Sequence, residues 1–276
     1  MPELPEVETV VRDLLAAGVV GATIDEVRVS WPRTVAGMSA RRLGLLVIGC
    51  RIVDVRRRGK YIMIALSSRE WLLIHLRMTG RLHLERSDVP VALHERAALR
   101  FKDGRELRFI DTRKFGRWVL VDDIAPVLGS LGPEPLAPDF RARELCAILE
   151  GHKRMLKPML LDQEVIAGIG NIYVDEALWD ARLHPCRLSN TLSWNEVKRL
   201  HGSIRKVLRR GLRSMGTSLG TGTGNFYSVA GRRGRNQDGL RVFRRQGEPC
   251  VRCKSSIERL TVGQRGTHIC PSCQKL

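Results

Sequence analysis

The sequence predicts an α+β protein of two domains: an N-terminal β-sandwich with a flanking helix, then a helical half that ends in a β-hairpin. Three observations predict it. The chain starts with one helical period, continues as roughly 100 residues of short β-rich runs, and turns helical beyond a Pro- and Gly-rich stretch.

The first helix is expected over residues 7–17. Val7, Val10, Val11, Leu14 and Leu15 share one face, Pro5 suits the first turn, and Gly18 suits the end. From Ile24 to Val121 the runs IDEVRV, LLVIGCRIVDV, KYIMIAL, WLLIHL, LRFKDG, ELRFI and RWVLV are punctuated by turn residues. No helix of comparable quality intervenes, so this part reads as an antiparallel sandwich or barrel. LGSLGPEPLAP, from Leu128 to Pro138, is the linker. Helical patterns follow at 139–151, 155–162, 172–181 and 193–215. Two of them flank Glu164 to Asn171, a Gly-containing turn whose amides can hold phosphate. Gly216 to Gly239 is rich in Gly, Ser, Thr, Asn and Arg and reads as a long mobile loop.

Charge points to the partner. Lys and Arg number 47 against 29 Asp and Glu, a net charge of +18. From His201 to Leu276 there are 16 basic residues and only 3 acidic ones, so the last quarter carries most of the excess. A polyanion explains such a bias, because every neutralised phosphate releases counterions. Hydrophobic residues make up 43% of the chain, yet no run approaches the roughly 18 apolar residues of a membrane span. The start, MPELPEVETV, lacks the pattern of a secretory signal. A membrane or secreted protein is not expected.

Cys50, Cys146 and Cys186 are scattered and read as buried thiols. Cys250, Cys253, Cys270 and Cys273 form C-x2-C-x16-C-x2-C, which can close one tetrahedral zinc site across a hairpin. Disulfides are the alternative and suit the missing signal poorly. Four protein ligands leave no open position, so the metal is expected to be structural. No phosphate-cradling GxxxxGK[ST] loop implies a nucleotide cofactor.

Met1-Pro2-Glu3-Leu4-Pro5-Glu6-Val7-Glu8 closely resembles the N-terminus of the formamidopyrimidine-DNA glycosylases, which excise oxidised purines. The resemblance continues through Arg57-Arg-Gly-Lys60-Tyr61, His75-Leu-Arg-Met78-Thr-Gly80 and Asp111-Thr-Arg113-Lys-Phe115-Gly116. It extends over Leu131-Gly-Pro-Glu-Pro-Leu136, Leu161 to Tyr173 and Gly263-Gln-Arg265-Gly-Thr-His-Ile-Cys270, in family order along the whole chain. It implies a β-sandwich domain at 1–132, a linker, helix–two-turn–helix domain and lesion-covering loop at 133–239, and a zinc-finger hairpin at 240–276.

The resemblance also implies roles. With Met1 removed, Pro2 presents a secondary amine of pKa about 8, able to attack the sugar C1′ and form an iminium. Glu3 is the expected general acid/base, Glu6 a second functional carboxylate, and Lys60 a proton carrier and phosphate contact. Arg265, in a glycine-flanked hairpin tip, is expected to grasp phosphate and assist the second elimination. Met78, Arg113 and Phe115 match the trio that fills the gap left by an extruded base. Asn171 and Tyr173 resemble the phosphate-holding pair, while His94, Lys114, Lys153 and Lys157 are expected backbone contacts.

Two departures matter. Where the family often has Lys-His-Asp-His-Val, this chain reads Leu93-His94-Glu95-Arg96-Ala97, and the loop Thr217 to Ser228 is unusually rich in glycine. The expected activity is a bifunctional glycosylase and abasic-site lyase on damaged duplex DNA, working as a monomer in the bacterial cytoplasm. One rival is an endonuclease VIII-type glycosylase for oxidised pyrimidines, whose usual Pro-Glu-Gly-Pro-Glu start differs at Leu4. The other is a non-enzymatic zinc-finger protein that binds damaged DNA; it would not need Pro2, Glu3 and Lys60 together.

Overall fold

In the computed structural model, which describes residues 2–220 and 226–276, the first helix is α1 (Leu4–Ala16). It is followed by β1 (Ile24–Val29), β2 (Val35–Ala36), α2 (Ala40–Val47), β3 (Ile52–Arg58), β4 (Tyr61–Leu66) and β5 (Trp71–His75). Then come β6 (Arg81–Arg86), β7 (Glu95–Phe101), β8 (Arg105–Ile110), β9 (Arg117–Val121) and the short α3 (Ala125–Leu128). The strands form a four-stranded sheet, β1-β7-β8-β6, and a five-stranded sheet, β2-β9-β5-β4-β3. All pairs are antiparallel except β2 with β9. One core joins both sheets: Ile62, Ile74 and Trp118 from one, Leu99, Leu107 and Phe109 from the other, and the apolar face of α1. The expected sandwich and flanking helix are both present.

Two local expectations differ. LLVIGCRIVDV is not one strand, because Leu45 to Val47 close α2 and the strand begins at Ile52. Ser39 caps α2 by accepting the Arg42 N–H, and Leu43 and Val47, one turn apart, are its buried face. Contiguous apolar residues hide that period. The run RLHLER, too polar to stand out, is β6.

The chain divides into two compact units, Met1–Ser130 with Ser214–Gln237, and Leu131–Arg213 with Asp238–Leu276. The segment 214–237 therefore belongs with the sandwich, although the sequence groups it with the helices. Its feet are packed rather than loose. Phe226 and Val229 enter the sandwich core, Asn236 is buried against Thr217, and Arg232 pairs with Asp13 of α1. Residues 221–225, the middle of the glycine-rich stretch, lie outside the described residues.

An ion network crosses the four-stranded sheet. Arg108, about 1% exposed, donates to Glu106 at 2.8 Å and to the carbonyls of Val89 and Pro90. Arg28 bridges Glu95 and Glu106. Burial alone would raise the Glu106 carboxyl, but Arg28 and Arg108 outweigh it and hold the group below its ordinary range.

The second unit holds α4 (Ala142–Glu150), α5 (Leu156–Leu161), α6 (Asn171–Ala181) and α7 (Trp194–Arg213), then the hairpin β10 (Glu258–Val262) and β11 (Arg265–Ile269). Nearly all of α6 is buried. Its Glu176 carboxylate accepts the N–H groups of Arg241, Val242 and Phe243 and pairs with Arg210, fixing the entry to the hairpin region. The turn between α5 and α6 is held by Gln163, which accepts from Gly168 N–H and donates to the carbonyls of Leu161 and Ile169. Among the described residues no helix is long and apolar enough to cross a membrane.

Replacing Arg108 by Ala would leave the buried Glu95 and Glu106 with only the half-exposed Arg28 as counter-ion, and the expected loss is about 3 kcal/mol in urea denaturation. A loss below about 1 kcal/mol, the range of an exposed pair, would show that the network does not support the sheet.

Candidate active site

The site of the first unit is built on the start of α1. Pro2 is buried ahead of that helix, and Glu3 is its N-cap in extended conformation. Glu3 and Glu6 close a capping box: the Glu3 side chain accepts the Glu6 N–H, and Glu6 Oε2 accepts the Glu3 N–H at 2.9 Å. The other Glu6 oxygen accepts the Thr217 N–H at 2.7 Å. Glu6 thus holds both the residue after Pro2 and one foot of the 214–237 segment.

Lys60 sits in the tight turn between β3 and β4 and is buried. Arg57 fastens that turn to α1, since its guanidinium donates to Glu8 and to the Gly59 carbonyl, each at 3.0 Å. Beside the turn lies His75, whose ring meets Tyr61 edge-on at 4.7 Å. Burial, then the charges of Arg77 and Lys60, push the His75 imidazole down to about 3. Its Nδ1 accepts the Arg77 N–H at 3.0 Å, so the neutral ring carries its proton on Nε2. Sequence reasoning did not single out His75, although it begins the His-Leu-Arg-Met block.

Met78, Arg113, Lys114 and Phe115 all lie exposed on loops at one end of the strands, Met78 after β5 and the others before β9. Met78 is 37% and Phe115 46% exposed, so neither is a core residue. Arg113 stacks on Phe115 at 4.8 Å, and the Lys114 ammonium sits 4.2 Å from the Trp31 ring centre. Arg77, His94 and Lys114 have positive φ angles of 53°, 67° and 60°, a strained geometry for non-glycine residues that recurs beside this surface.

In the second unit Arg265 follows a two-residue turn, Gly263-Gln264, with both φ angles positive, and is exposed at the hairpin tip. Asn171 opens α6 and donates to the Gly266 carbonyl at 3.0 Å. Lys153 is exposed.

Two residues depart from expectation. Lys157 is 0% exposed; its ammonium pairs with Asp175 at 2.6 Å and donates to the Gly266 carbonyl. A lysine so enclosed holds the hairpin tip in place rather than touching a DNA backbone. Tyr173 is likewise buried, its ring lying where a side chain on Gly211 of α7 would stand. Asp175 completes this cluster by accepting the His268 N–H at 2.9 Å.

The sulfur atoms of Cys250, Cys253, Cys270 and Cys273 lie within 4.8 Å of one another, with measured pairs at 3.3, 3.5 and 4.0 Å. Four thiolates at about 2.3 Å from a tetrahedral ion would stand roughly 3.8 Å apart, so the cluster fits one metal ion. Trp179, Val242 and Ile257 pack against the cysteines and enclose the site.

Three family models match in this order: the formamidopyrimidine-DNA glycosylase N-terminal domain over residues 1–118, its H2TH domain over 131–223, and the zinc finger found in FPG and IleRS over 247–276. The chain belongs to the formamidopyrimidine-DNA glycosylase family. It is 46% identical to the formamidopyrimidine-DNA glycosylase of Protochlamydia amoebophila over 275 residues, covering 100% of both chains. It is 45% identical to that of Herpetosiphon aurantiacus, over 99% of this chain and 100% of the relative. Among solved structures it superposes with a TM-score of 0.93 and 37% identity on a Lactococcus lactis FPG mutant in complex with Fapy-dG containing DNA, all of both chains being covered. The Lactococcus lactis Fpg bound to abasic-site DNA gives a TM-score of 0.92 at 36% identity, over 99% of this chain and 100% of that one. The family's enzymes are DNA-repair glycosylases that also act as abasic-site lyases, and this chain is one of them.

His75 supplies a pH signature. In the unfolded chain its imidazole titrates near 6.5, whereas the folded protein refuses the proton until about 3. Its contribution is full above pH 6.5 and is lost as pH falls, at about 1.4 kcal/mol per pH unit. His75→Gln should therefore flatten the decline of the urea midpoint between about pH 6.5 and 4.5. An unchanged decline would mean that folded His75 takes up its proton in this range.

Proposed function

We propose that the protein excises 8-oxoguanine and formamidopyrimidines from duplex DNA and cuts the strand on both sides of the resulting abasic sugar. The observation that carries this reading is the head of α1, where Pro2 precedes two interlocked carboxylates, Glu3 and Glu6. The Pro2 amine attacks the sugar C1′ as the C1′–N9 bond breaks, Glu3 handles the proton traffic of ring opening, and the base departs. The resulting iminium acidifies C2′, so loss of that proton expels the 3′ phosphate, and a second elimination expels the 5′ phosphate. Lys60 carries protons and holds phosphate beside Pro2.

On this reading Met78, Arg113 and Phe115 enter the stack as the damaged base leaves it, and their exposure supports that role. His94, Lys114, Lys153 and Asn171 contact the DNA backbone, and Arg265 grasps phosphate and promotes the second elimination. The four cysteines hold one structural zinc ion, which supplies folding energy to a hairpin too short for a core of its own. The identity of 45–46% to relatives named formamidopyrimidine-DNA glycosylase supports the purine branch. The enzyme is read as a monomer acting on the chromosome in the bacterial cytoplasm. In this proposal the sandwich domain read from sequence at 1–132 carries the chemistry, the hairpin at 240–276 the zinc finger, and 214–237 is assigned to the sandwich.

An uncleaved N-terminal tag should leave DNA binding intact yet abolish strand cleavage and the covalent adduct trapped by borohydride, since an amide nitrogen forms no iminium. Full activity from a verified intact fusion would move the nucleophile to another amine, with Lys60 the first to test.

Met78→Ala should slow excision from lesion duplex by about ten-fold more than it slows cleavage of a preformed abasic site, which has no base to unstack. Equal slowing on both substrates would remove Met78 from the gap-filling group.

A further inference from the structure

The loops that carry Met78, His94, Arg113 and Phe115 come from three separate places in the sequence, after β5, before β7 and after β8. A single buried residue touches all three. The Asp111 side chain, 1% exposed, accepts the Thr79 hydroxyl and the Arg113 N–H on one oxygen and the Gly116 N–H on the other, the last at 2.8 Å. Its own N–H donates to the His94 carbonyl at 3.0 Å. Its carbonyl accepts Arg96 Nε at 2.9 Å, and the same guanidinium reaches His94 Nδ1 at 3.1 Å. A guanidinium only donates, so His94 keeps its proton on Nε2.

We propose that Asp111 is the positioning residue of the duplex-opening surface: it sets the relative height and direction of Met78, Arg113, Phe115 and His94. The proposal rests on the reading of the first three as gap fillers. Two adjacent glycines make the arrangement rigid. A Cβ on Gly80 or on Gly116 would lie 2.9 Å or less from the buried ring of Phe109, so both loops rest on that ring. Phe109 sets how far the loops sink, and the Asp111 carboxylate stops them from separating. Arg96 occupies the place of the family's second histidine and adds a tie from the same residue to His94. A hydrogen bond to an ionised acceptor is roughly twice as strong as a neutral one, so a carboxylate suits three donors from two loops. Side chains that must enter a stack together need fixed geometry, because misplacement by about 1 Å costs on the order of a hundred-fold in rate.

The test uses the full-length protein and duplexes with 2-aminopurine next to the lesion, whose fluorescence reports unstacking. Asp111→Ala should slow the fluorescence rise and lesion excision by about ten-fold more than it slows cleavage of preformed abasic DNA. Thr79→Val, which removes the hydroxyl's bond to Asp111 together with its acceptance of the Arg113 N–H but leaves the carboxylate in place, should give the same pattern at about three-fold. Met78→Ala and Phe115→Ala run alongside. If they slow opening while Asp111→Ala opens DNA at the wild-type rate, the positioning role is overturned. If they open DNA normally, the gap-filling reading fails and the proposal fails with it. Equal loss by Asp111→Ala on both substrates would mark a general structural role and also overturn it. Should Asp111→Ala not fold, a folded Thr79→Val that opens DNA at the wild-type rate overturns it in its place.

Discussion

A backbone N–H taken out of water must find an acceptor, and at four decisive points in this protein the acceptor is a buried carboxylate. Glu6 receives the N–H groups of Glu3 and Thr217. Asp111 receives those of Arg113 and Gly116, Asp175 that of His268, and Glu176 three in succession from Arg241 to Phe243. Glu6, Asp111 and Glu176 serve irregular backbone that no helix or sheet pairs, and Asp175 ties α6 to β11 across 93 positions. The residues assigned to chemistry and DNA contact lie on or beside those segments. Irregular backbone gives them reach, and the carboxylates give them fixed positions.

The same device shapes the charge of the surface. Among the described residues the buried charged side chains are seven carboxylates, Glu3, Glu6, Glu95, Glu106, Asp111, Asp175 and Glu176, against three cations, Lys60, Arg108 and Lys157. The acids are spent inward, so the solvent-facing charge is more positive than the net +18 of the chain. A glycosylase that must search long DNA gains from this arrangement, because the summed field of the chain is positive and its cations lie nearer the phosphates than the buried acids do. Lys157 is the counter-example. A lysine on a basic protein invites a role on DNA, but this one balances Asp175 and holds the Gly266 carbonyl next to Arg265.

The parts legible in the sequence were those coded locally. Alternation of apolar residues revealed most strands, the 3.6-residue period revealed α1 and the helices of the second unit, and two C-x2-C pairs revealed the four-cysteine cluster. The Pro-Glu-Leu-Pro-Glu start and the glycine-flanked Arg265 were legible for the same reason, since each is a short run of fixed chemistry. Where local signals were weak or mixed, the reading slipped: α2 is interrupted by Gly44 and runs into apolar residues, and β6 is half polar.

The sequence by itself determined the class of fold, the four-cysteine cluster and a basic bias that suits a polyanion, because composition, period and spacing carry that information, while the residues proposed for the chemistry came from the resemblance of short motifs to the family. Only the tertiary structure decided which polar residues face inward. Glu6 meets Thr217 across 211 positions, Lys157 meets Gly266 across 109, and the segment 214–237 joins the sandwich through Phe226 and Val229. No local pattern encodes such pairings, because the acceptor a buried group finds depends on which distant segment the packed core brings beside it.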